Sequence, residues 1–447
     1  MTPGARVQAA IELIAAIGGG QGAADDIVGN YFRRHRFAGS KDRAAISEHI
    51  YAVLRRRAAL DWYIARVAPA LSPGGTPAPR IRVLAGLAVV EGWRAEAIDR
   101  ACDGDVFRPQ PLDRAERAMV EALAGKNPEH PDMPRAVRCN YPDWLDPLLT
   151  ERFGAEVAVE MAAMNGAAPL DLRVNQLKAT RAEARKALAE EGVDAVPTDL
   201  APTGLRVYER IPLSTLEVFK SGRIEVQDEG SQLAALLAEA KPGMRVVDFC
   251  AGAGGKTLAL AAQMQNKGHL VACDVSEKRL ERSGTRLRRA GISNVERRAL
   301  TTERDKWVKR HAESFDRVFV DAPCTGTGTW RRNPDAKWRL TPKDLAELTD
   351  LQARILDSAQ RLVRPGGRLI YATCSLLPAE NERQINAFLE AHRDFALVPV
   401  GQVWRDAFGK PWTEPGDMLQ LTPARHGTDG FFVAVLTRVA AAAADAA

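Results

Sequence analysis

Apolar residues recur at three- and four-residue steps through the first hundred positions. In RAAISEHIYAVLRRRAALDWYI, the residues Ile46, Ile50, Val53, Leu54, Leu60 and Tyr63 keep this spacing, which predicts amphipathic helix. The first twenty residues also read as an amphipathic helix rather than a signal peptide, because charged and polar residues soon follow. Hardly any β-rich run interrupts the region, so it predicts a small all-helical domain. Between 103 and 147 prolines crowd in (Pro109, Pro111, Pro128, Pro131, Pro134, Pro142, Pro147), marking a connector around a helix near 112–124. The pattern then changes: LDLRVNQL predicts a strand, RAEARKALAEEG a helix and LRVY a second strand, a small α+β unit. From about 226 strand and helix alternate. RVVDFC, HLVACD, FDRVFVD and GGRLIYATC are strands, and KTLALAAQM, SEKRLERSGTRLRRAG and residues 342–362 are helices. Such alternation predicts an α/β fold with a parallel sheet covered on both faces and ligands at the carboxyl ends of its strands. The expected division is 1–135, 136–225 and 226–440, with the alanine-rich tail AAAADAA frayed.

Composition adds limits. A chain of 447 residues, 46% hydrophobic and 27% charged, has material for two to four globular domains. No run approaches the roughly 20 apolar residues of a membrane span. Six scattered cysteines without a CxxC pair or histidines at ligand spacing predict neither disulfides nor a metal site, and fit a cytoplasmic location. Cys102, Cys139, Cys273 and Cys250 read first as small buried hydrophobes. The net charge of +5 favours a polyanionic partner. Basic residues gather at Arg33, Arg34, His35 and Arg36, at Arg55–Arg57, and at Arg331, Arg332, Lys337 and Arg339. This last run holds Trp330 and Trp338, a pattern suited to phosphate contacts with aromatic stacking. Arg279, Arg282, Arg286 and Arg289 form one helical stripe, either a solvated face or an RNA contact.

The first catalytic-region strand ends in Asp248 and runs into FCAGAGGKT. Gly252, Gly254 and Gly255 allow close backbone approach to a ligand. A phosphate loop would need glycine where Cys250 stands, and a dinucleotide fingerprint would need glycine at Thr257. A nucleoside cofactor without pyrophosphate, S-adenosylmethionine, fits better. Asp274 closes the second strand, where a carboxylate can bind ribose hydroxyls; alternatively it caps the next helix, a task Ser276 could perform. Asp321 and Cys324 follow the FDRVFVD strand, and Cys374 follows GGRLIYAT, so both thiols face the cofactor edge. Methylation of a cytosine at C5 gives two such thiols work. A thiolate attacks C6 to make C5 nucleophilic, Asp321 stabilises the adduct near N3, and a second thiol removes the C5 proton. Lys256 and the cofactor's sulfonium are sources of positive charge for the thiolate.

DFCAGAGGKT, DAPCTGTG and YATCS, in this order, resemble the RsmB/NOP2/Sun family of RNA cytosine-C5 methyltransferases. RIEVQDEGSQLAA and LQLTPARHGTDGFFVAVL resemble flanking family segments, and YPDWL with LRVNQLK resembles its RNA-binding extension. KDRAAISEHIYAVLRRRAALDWYI resembles the NusB-like helical domain of the bacterial 16S ribosomal RNA member. The resemblance implies a Rossmann-like class I methyltransferase domain behind NusB-like and α+β RNA-binding parts; a monomer is adequate for the chemistry and is the expected state. It implies Cys374 as nucleophile and Cys324 as release residue, with Asp321 and Lys256 beside them. Cys250, Ala251, Gly252, Ala253, Gly254, Gly255, Lys256, Asp274 and Asp321 then bind S-adenosylmethionine. Two departures stand out: the loop lacks the family's proline, and Arg298, Ala299 and Leu300 stand where a carboxylate usually follows the third strand. The rivals are a transfer RNA methyltransferase, a catalytically silent RNA-binding or assembly protein on this fold, and a nicotinamide enzyme, disfavoured by Thr257.

Overall fold

The computed structural model describes residues 1–20, 22–209 and 211–439, so the alanine-rich tail and residue 440 lie outside the described residues. The chain forms two compact units. One comprises Met1–Ala167 with Thr329–Leu340; the other comprises Ala168–Gly328 and the residues from Thr341 onward. The division between the units falls at 167, with residues 329–340 returning to the first unit.

The first unit is helical. Its centre is the helix Pro79–Val89, whose sequence is apolar on every side and in which every residue from Ile81 to Val89 is buried. The helices Pro3–Gly18, Ser40–Arg55 and Arg57–Val67 turn Leu13, Ile46, Ile50, Leu60 and Ile64 onto it. Arg82, inside this core, is held by two hydrogen bonds of 2.7 and 2.9 Å to the Asp61 carboxylate. The connector helix spans Arg114–Leu123 and starts with a reciprocal cap between Asp113 and Glu116.

Segment 329–340 corrects one expectation. Trp330, Arg331 and Lys337 are core elements of the helical unit rather than parts of an RNA platform, at 1%, 5% and 1% exposure, while Arg332 and Trp338 are half-buried and Arg339 is exposed. Lys337 Nζ donates to Asn165 Oδ1 (2.7 Å), and Asn165 Nδ2 donates to the Cys139 carbonyl (2.7 Å). The Trp338 indole donates to the Leu54 carbonyl (2.8 Å), with the Arg57 guanidinium over its ring. Asp335 accepts the Ala24 amide at the start of helix Ala24–Arg34.

The second unit holds two sheets. The smaller is antiparallel, ordered β2-β3-β1-β4, from β1 (Leu170–Val174), β2 (Val196–Pro197), β3 (Gly204–Val207) and β4 (Ile224–Val226). The helix Arg181–Glu190 covers it through Ala184 and Leu188. A buried ion pair crosses its strands, Arg206 bonding the Asp171 carboxylate at 2.7 and 2.9 Å.

The large sheet contains β5 (Arg245–Asp248), β6 (His269–Asp274), β7 (Val295–Ala299), β8 (Phe315–Asp321) and β9 (Val363–Thr373). These five are parallel in the order β9-β8-β5-β6-β7. The sheet is not wholly parallel as the alternation suggested. β10 (Phe395–Val398), β11 (Leu419–Leu421) and β12 (Phe431–Arg438) extend it with antiparallel pairings, β12 lying against β9. Its strands carry near-continuous Val, Leu, Ile and Phe because apolar cores lie on both faces. Parallel direction brings the ends of β5, β6, β8 and β9 to one edge, with Asp248, Asp274, Asp321 and the residue after Thr373 side by side.

Candidate active site

Each strand end supplies one functional group. At β5 the chain turns through Gly252 (φ 55°) and Gly254 (φ 82°), left-handed conformations that strain any side-chain-bearing residue. A Cβ on Gly254 would also lie 2.8 Å from the Ser283 side chain. The helix Gly255–Gln263 follows, carrying Lys256 and Thr257 inward. The loop is latched from several sides. Asp274 Oδ2 accepts the Gly252 amide (2.8 Å), Arg286 donates to the Ala253 carbonyl (2.8 Å), and Arg173 donates to the Gly255 carbonyl (2.8 Å). Arg286 also pairs with Glu225, and Arg289 bonds Glu225 while covering the Phe219 ring. Half of the arginine stripe thus binds the small sheet and the loop, and only Arg279 and Arg282 face solvent.

Asp274 Oδ1 accepts the Ser276 amide (2.8 Å), and the Ser276 hydroxyl makes no cap bond to the following helix. Asp248 is wholly buried. It accepts the Thr257 hydroxyl (2.7 Å) on one oxygen and has no partner for the other, and burial pushes its pKa up to about 7.

A cavity of about 370 Å³ opens at this edge, and its walls include Cys250, Asp274, Asp321, Cys324 and Cys374. Residues 251–255 are not among its walls and act through the latches above. The Sγ atoms of Cys324 and Cys374 are 3.4 Å apart, and neither is in a disulfide. The hydrogen bond with Cys374, then burial, hold the Cys324 thiol well above its ordinary pKa. Lys256 Nζ lies 2.7 Å from Asp321 Oδ2 and 5.1 Å from the Phe431 ring. Burial opposes its charge, but the Asp321 carboxylate outweighs that and leaves its pKa above the usual lysine value. Cys250 belongs to the wall rather than to a remote core, and burial raises its thiol pKa strongly. Cys102, Cys139 and Cys273 are buried and are not among its walls.

Two carboxylates escaped the sequence reading. Glu303 lines the cavity beside Leu300, held by Arg354 Nε at 3.0 Å. It lies three residues beyond the position where a carboxylate was sought, and the intervening turn brings it back. Glu380 is fully buried behind the thiols. It accepts the Thr325 amide (2.8 Å) and Gln352 Nε2 (3.0 Å), and it bonds the Thr325 and Ser375 hydroxyls. It therefore joins the residue after Cys324 to the residue after Cys374. An acidic residue shortly after TCS was the available signal. Apolar walls from Phe249, Val275, Leu300 and Ile355, with carboxylates at the rim, suit the purine and ribose of S-adenosylmethionine. Among the described residues no group of three His, Cys, Asp or Glu side chains is placed to hold a metal, and no helix is long and apolar enough to cross a membrane.

Comparison with known proteins is consistent with this geometry. Residues 235–437 match the family described as 16S rRNA methyltransferase RsmB/F, and residues 141–214 match the ferredoxin-like domain of RsmF/B-like methyltransferases. The Synechocystis protein named "Probable ribosomal RNA small subunit methyltransferase B" is 31% identical over 423 residues, covering 89% of this chain and 91% of its own. The Pasteurella multocida ribosomal RNA small subunit methyltransferase B is 37% identical over 304 residues, covering 67% and 65%. The crystal structure of PH0851 superposes with a TM-score of 0.78 at 30% identity, covering 98% of this chain and 99% of that one. NSun6 from Pyrococcus horikoshii, solved with the S-adenosylmethionine analogue SFG, shares the fold at a TM-score of 0.59 and 21% identity, covering 67% and 99%.

Proposed function

Because this chain belongs to the RsmB/F family of S-adenosylmethionine-dependent methyltransferases, we propose that it methylates C5 of a cytosine in 16S ribosomal RNA through a covalent cysteine adduct. The observation that carries the reading is the pair of thiols 3.4 Å apart in one cavity with Asp321. Neither methyl transfer to an exposed heteroatom nor simple RNA binding needs two thiols. S-adenosylmethionine supplies an electrophilic methyl group when bound, and the residues of the chain do the rest.

Cys374, in its thiolate form, attacks C6 and makes C5 enamine-like. Asp321, fixed by Lys256, accepts or donates at N3 and the exocyclic amine as charge moves into the ring. Once C5 is methylated, Cys324 removes the C5 proton and Cys374 leaves as thiolate. The pair is matched to this order. In the free protein the hydrogen bond with Cys374 is the main cause that keeps Cys324 protonated. When Cys374 is committed to the carbon–sulfur bond that hydrogen bond is lost, and Cys324, giving its proton to water, becomes available as the base at the step that needs it. Asp274, Cys250 and the latched 251–256 loop hold the cofactor. In the same reading, residues 1–135 and 136–225 bind RNA, the enzyme acts as a monomer, and its compartment is the cytoplasm. The target base must be flipped out or presented single-stranded to reach the cavity.

The test uses wild type, Cys324→Ala and Cys374→Ala with unmodified 16S ribosomal RNA and S-adenosylmethionine, resolved on denaturing gels. Wild type should methylate, Cys324→Ala should accumulate a covalent protein–RNA band, and Cys374→Ala should give neither product nor adduct. An adduct formed only by Cys374→Ala would reverse the roles. Methylation undiminished in both variants would remove the thiols from the mechanism.

A further inference from the structure

The helical unit has a second cavity, of about 810 Å³, bounded by Glu12, Tyr31, His35, Phe37, Phe107 and Arg108 among others. Its rim concentrates apolar surface that a monomer usually hides: Phe37 is 72% exposed, Val106 71% and Phe107 82%. Phe107 is held at φ 63°, a left-handed conformation that a bulky residue rarely adopts, so the backbone presents this ring to solvent at a conformational cost. The Tyr31, His35 and Phe37 rings of the lining are ordered. His35 stacks on Tyr31 at 3.9 Å and 20°, with its Nδ1 fixed on the Tyr31 carbonyl (2.9 Å), and Phe37 stands edge-on to His35 at 5.7 Å. Between these aromatics the chain places Arg33, Arg34 and Arg36, all exposed. Arg33 bonds Asn30, and among the described residues neither Arg34 nor Arg36 pairs with a carboxylate. The carboxylates near this region have partners: Arg108 pairs with Asp103 and Asp105, Arg6 pairs with Asp42, and Glu12 accepts one hydrogen bond from Gln8 and keeps its remaining lone pairs.

We propose that this aromatic cavity with its arginine rim is a binding site for unpaired nucleotides of the RNA substrate, one or two bases stacking against Phe37 and Phe107 while Arg34 and Arg36 take the flanking phosphates. Stacking platforms interleaved with cations are the physical basis of single-strand recognition. The charge separates this occupant from an apolar peptide, which would leave the exposed guanidinium groups without partners. Glu12 adds a preference, since its free lone pairs can accept from the exocyclic amine of cytosine or guanine. The site belongs to the helical unit and shares no residue with the thiol cavity, so it would hold a part of the substrate other than the target base. This inference rests on the RNA reading above.

The experiment compares full-length wild type with Phe37→Ser, Phe107→Ser and Arg34→Ala/Arg36→Ala. Binding of unmodified 16S ribosomal RNA fragments is measured by fluorescence anisotropy across a salt series, alongside S-adenosylhomocysteine binding as a check on the catalytic unit. Each Phe variant should weaken RNA binding about tenfold with the salt slope unchanged. The Arg pair should lower that slope by about 2. Photocrosslinking from 4-thiouridine-substituted RNA should map to Phe37 or Phe107. If wild type binds and methylates RNA while the Phe variants match it in RNA affinity and KM, the cavity is not an RNA site and the proposed function stands. If the Phe variants keep RNA affinity but lose self-association or a protein contact, the occupant is a protein and the proposal falls. If wild type neither binds nor methylates any RNA, both readings fall together.

Discussion

Substituting Glu380 with alanine removes a carboxylate acceptor shared by the two loops that carry the thiols. Its carboxylate takes hydrogen bonds from the Thr325 amide, the Thr325 hydroxyl, the Ser375 hydroxyl and Gln352 Nε2, and its own backbone carbonyl accepts the Tyr371 hydroxyl. Alanine keeps that carbonyl and leaves four donors in a fully buried place without an acceptor. Hydrogen bonds to a charged group contribute about 1.5–3 kcal/mol each, and entering water recovers a large part, so the expected loss is about 3–4 kcal/mol. The catalytic effect should be separable from the loss of stability. Gln352 also donates to the Pro323 carbonyl, and Gly328 donates to the Cys374 carbonyl, so the loops stay connected but lose their common anchor. A displacement of about 1 Å between reacting groups costs on the order of 100-fold in rate. Single-turnover methylation with saturating RNA and cofactor, at a temperature where thermal denaturation shows the variant folded, measures this. Glu380→Gln retains one acceptor oxygen and should fall between wild type and alanine in both assays. An alanine variant that melts with wild type and methylates at its rate would refute the argument that Glu380 sets the spacing of Cys324 and Cys374.

Glu303→Ala tests whether the carboxylate beside Leu300 serves the cofactor: calorimetric affinity for S-adenosylhomocysteine should fall roughly tenfold, the worth of one hydrogen bond to a charged acceptor. Equal affinity in the variant would place Glu303 outside the cofactor's reach, leaving it only its pairing with Arg354. Lys337 predicts a pH dependence of stability. Burial first, then the neighbouring Arg56 and Arg55 charges, push its pKa down to about 7 from 10.5. Between these values the unfolded chain binds the additional proton, so stability of the helical unit should rise with pH from about 7 to 10.5 and stay at its lower level below 7. The full span is worth about 4–5 kcal/mol as an upper figure. Lys337→Met should flatten the rise in chemical denaturation profiles across this range, and an unchanged slope would show the lysine to be charged in the folded state.

Much of this protein was legible along the chain because its signals are short-range. A three- and four-residue apolar period announces the helices around Ile46–Ile64, and short β-rich runs between helices announce the parallel strands β5, β6, β8 and β9. Parallel connectivity alone then requires Asp248, Asp274, Asp321 and the Cys374 turn to share an edge, whatever the details of packing. What tertiary structure decided involves partners far apart in sequence. Lys337 and Trp338 carry the composition of an RNA surface, yet Asn165 and Leu54, more than 150 residues away, hold them inside the helical unit. Glu303 reaches the cavity only through the turn after β7, and Glu380 acquires its role only when Thr325 folds against it. The antiparallel end of the large sheet, β12 against β9, likewise depends on a long-range pairing. Periodicity reports which face of an element is apolar. It carries no record of which distant polar group will meet a buried charge, and the cost of leaving such a charge unpaired is settled only when the chain is closed up around it.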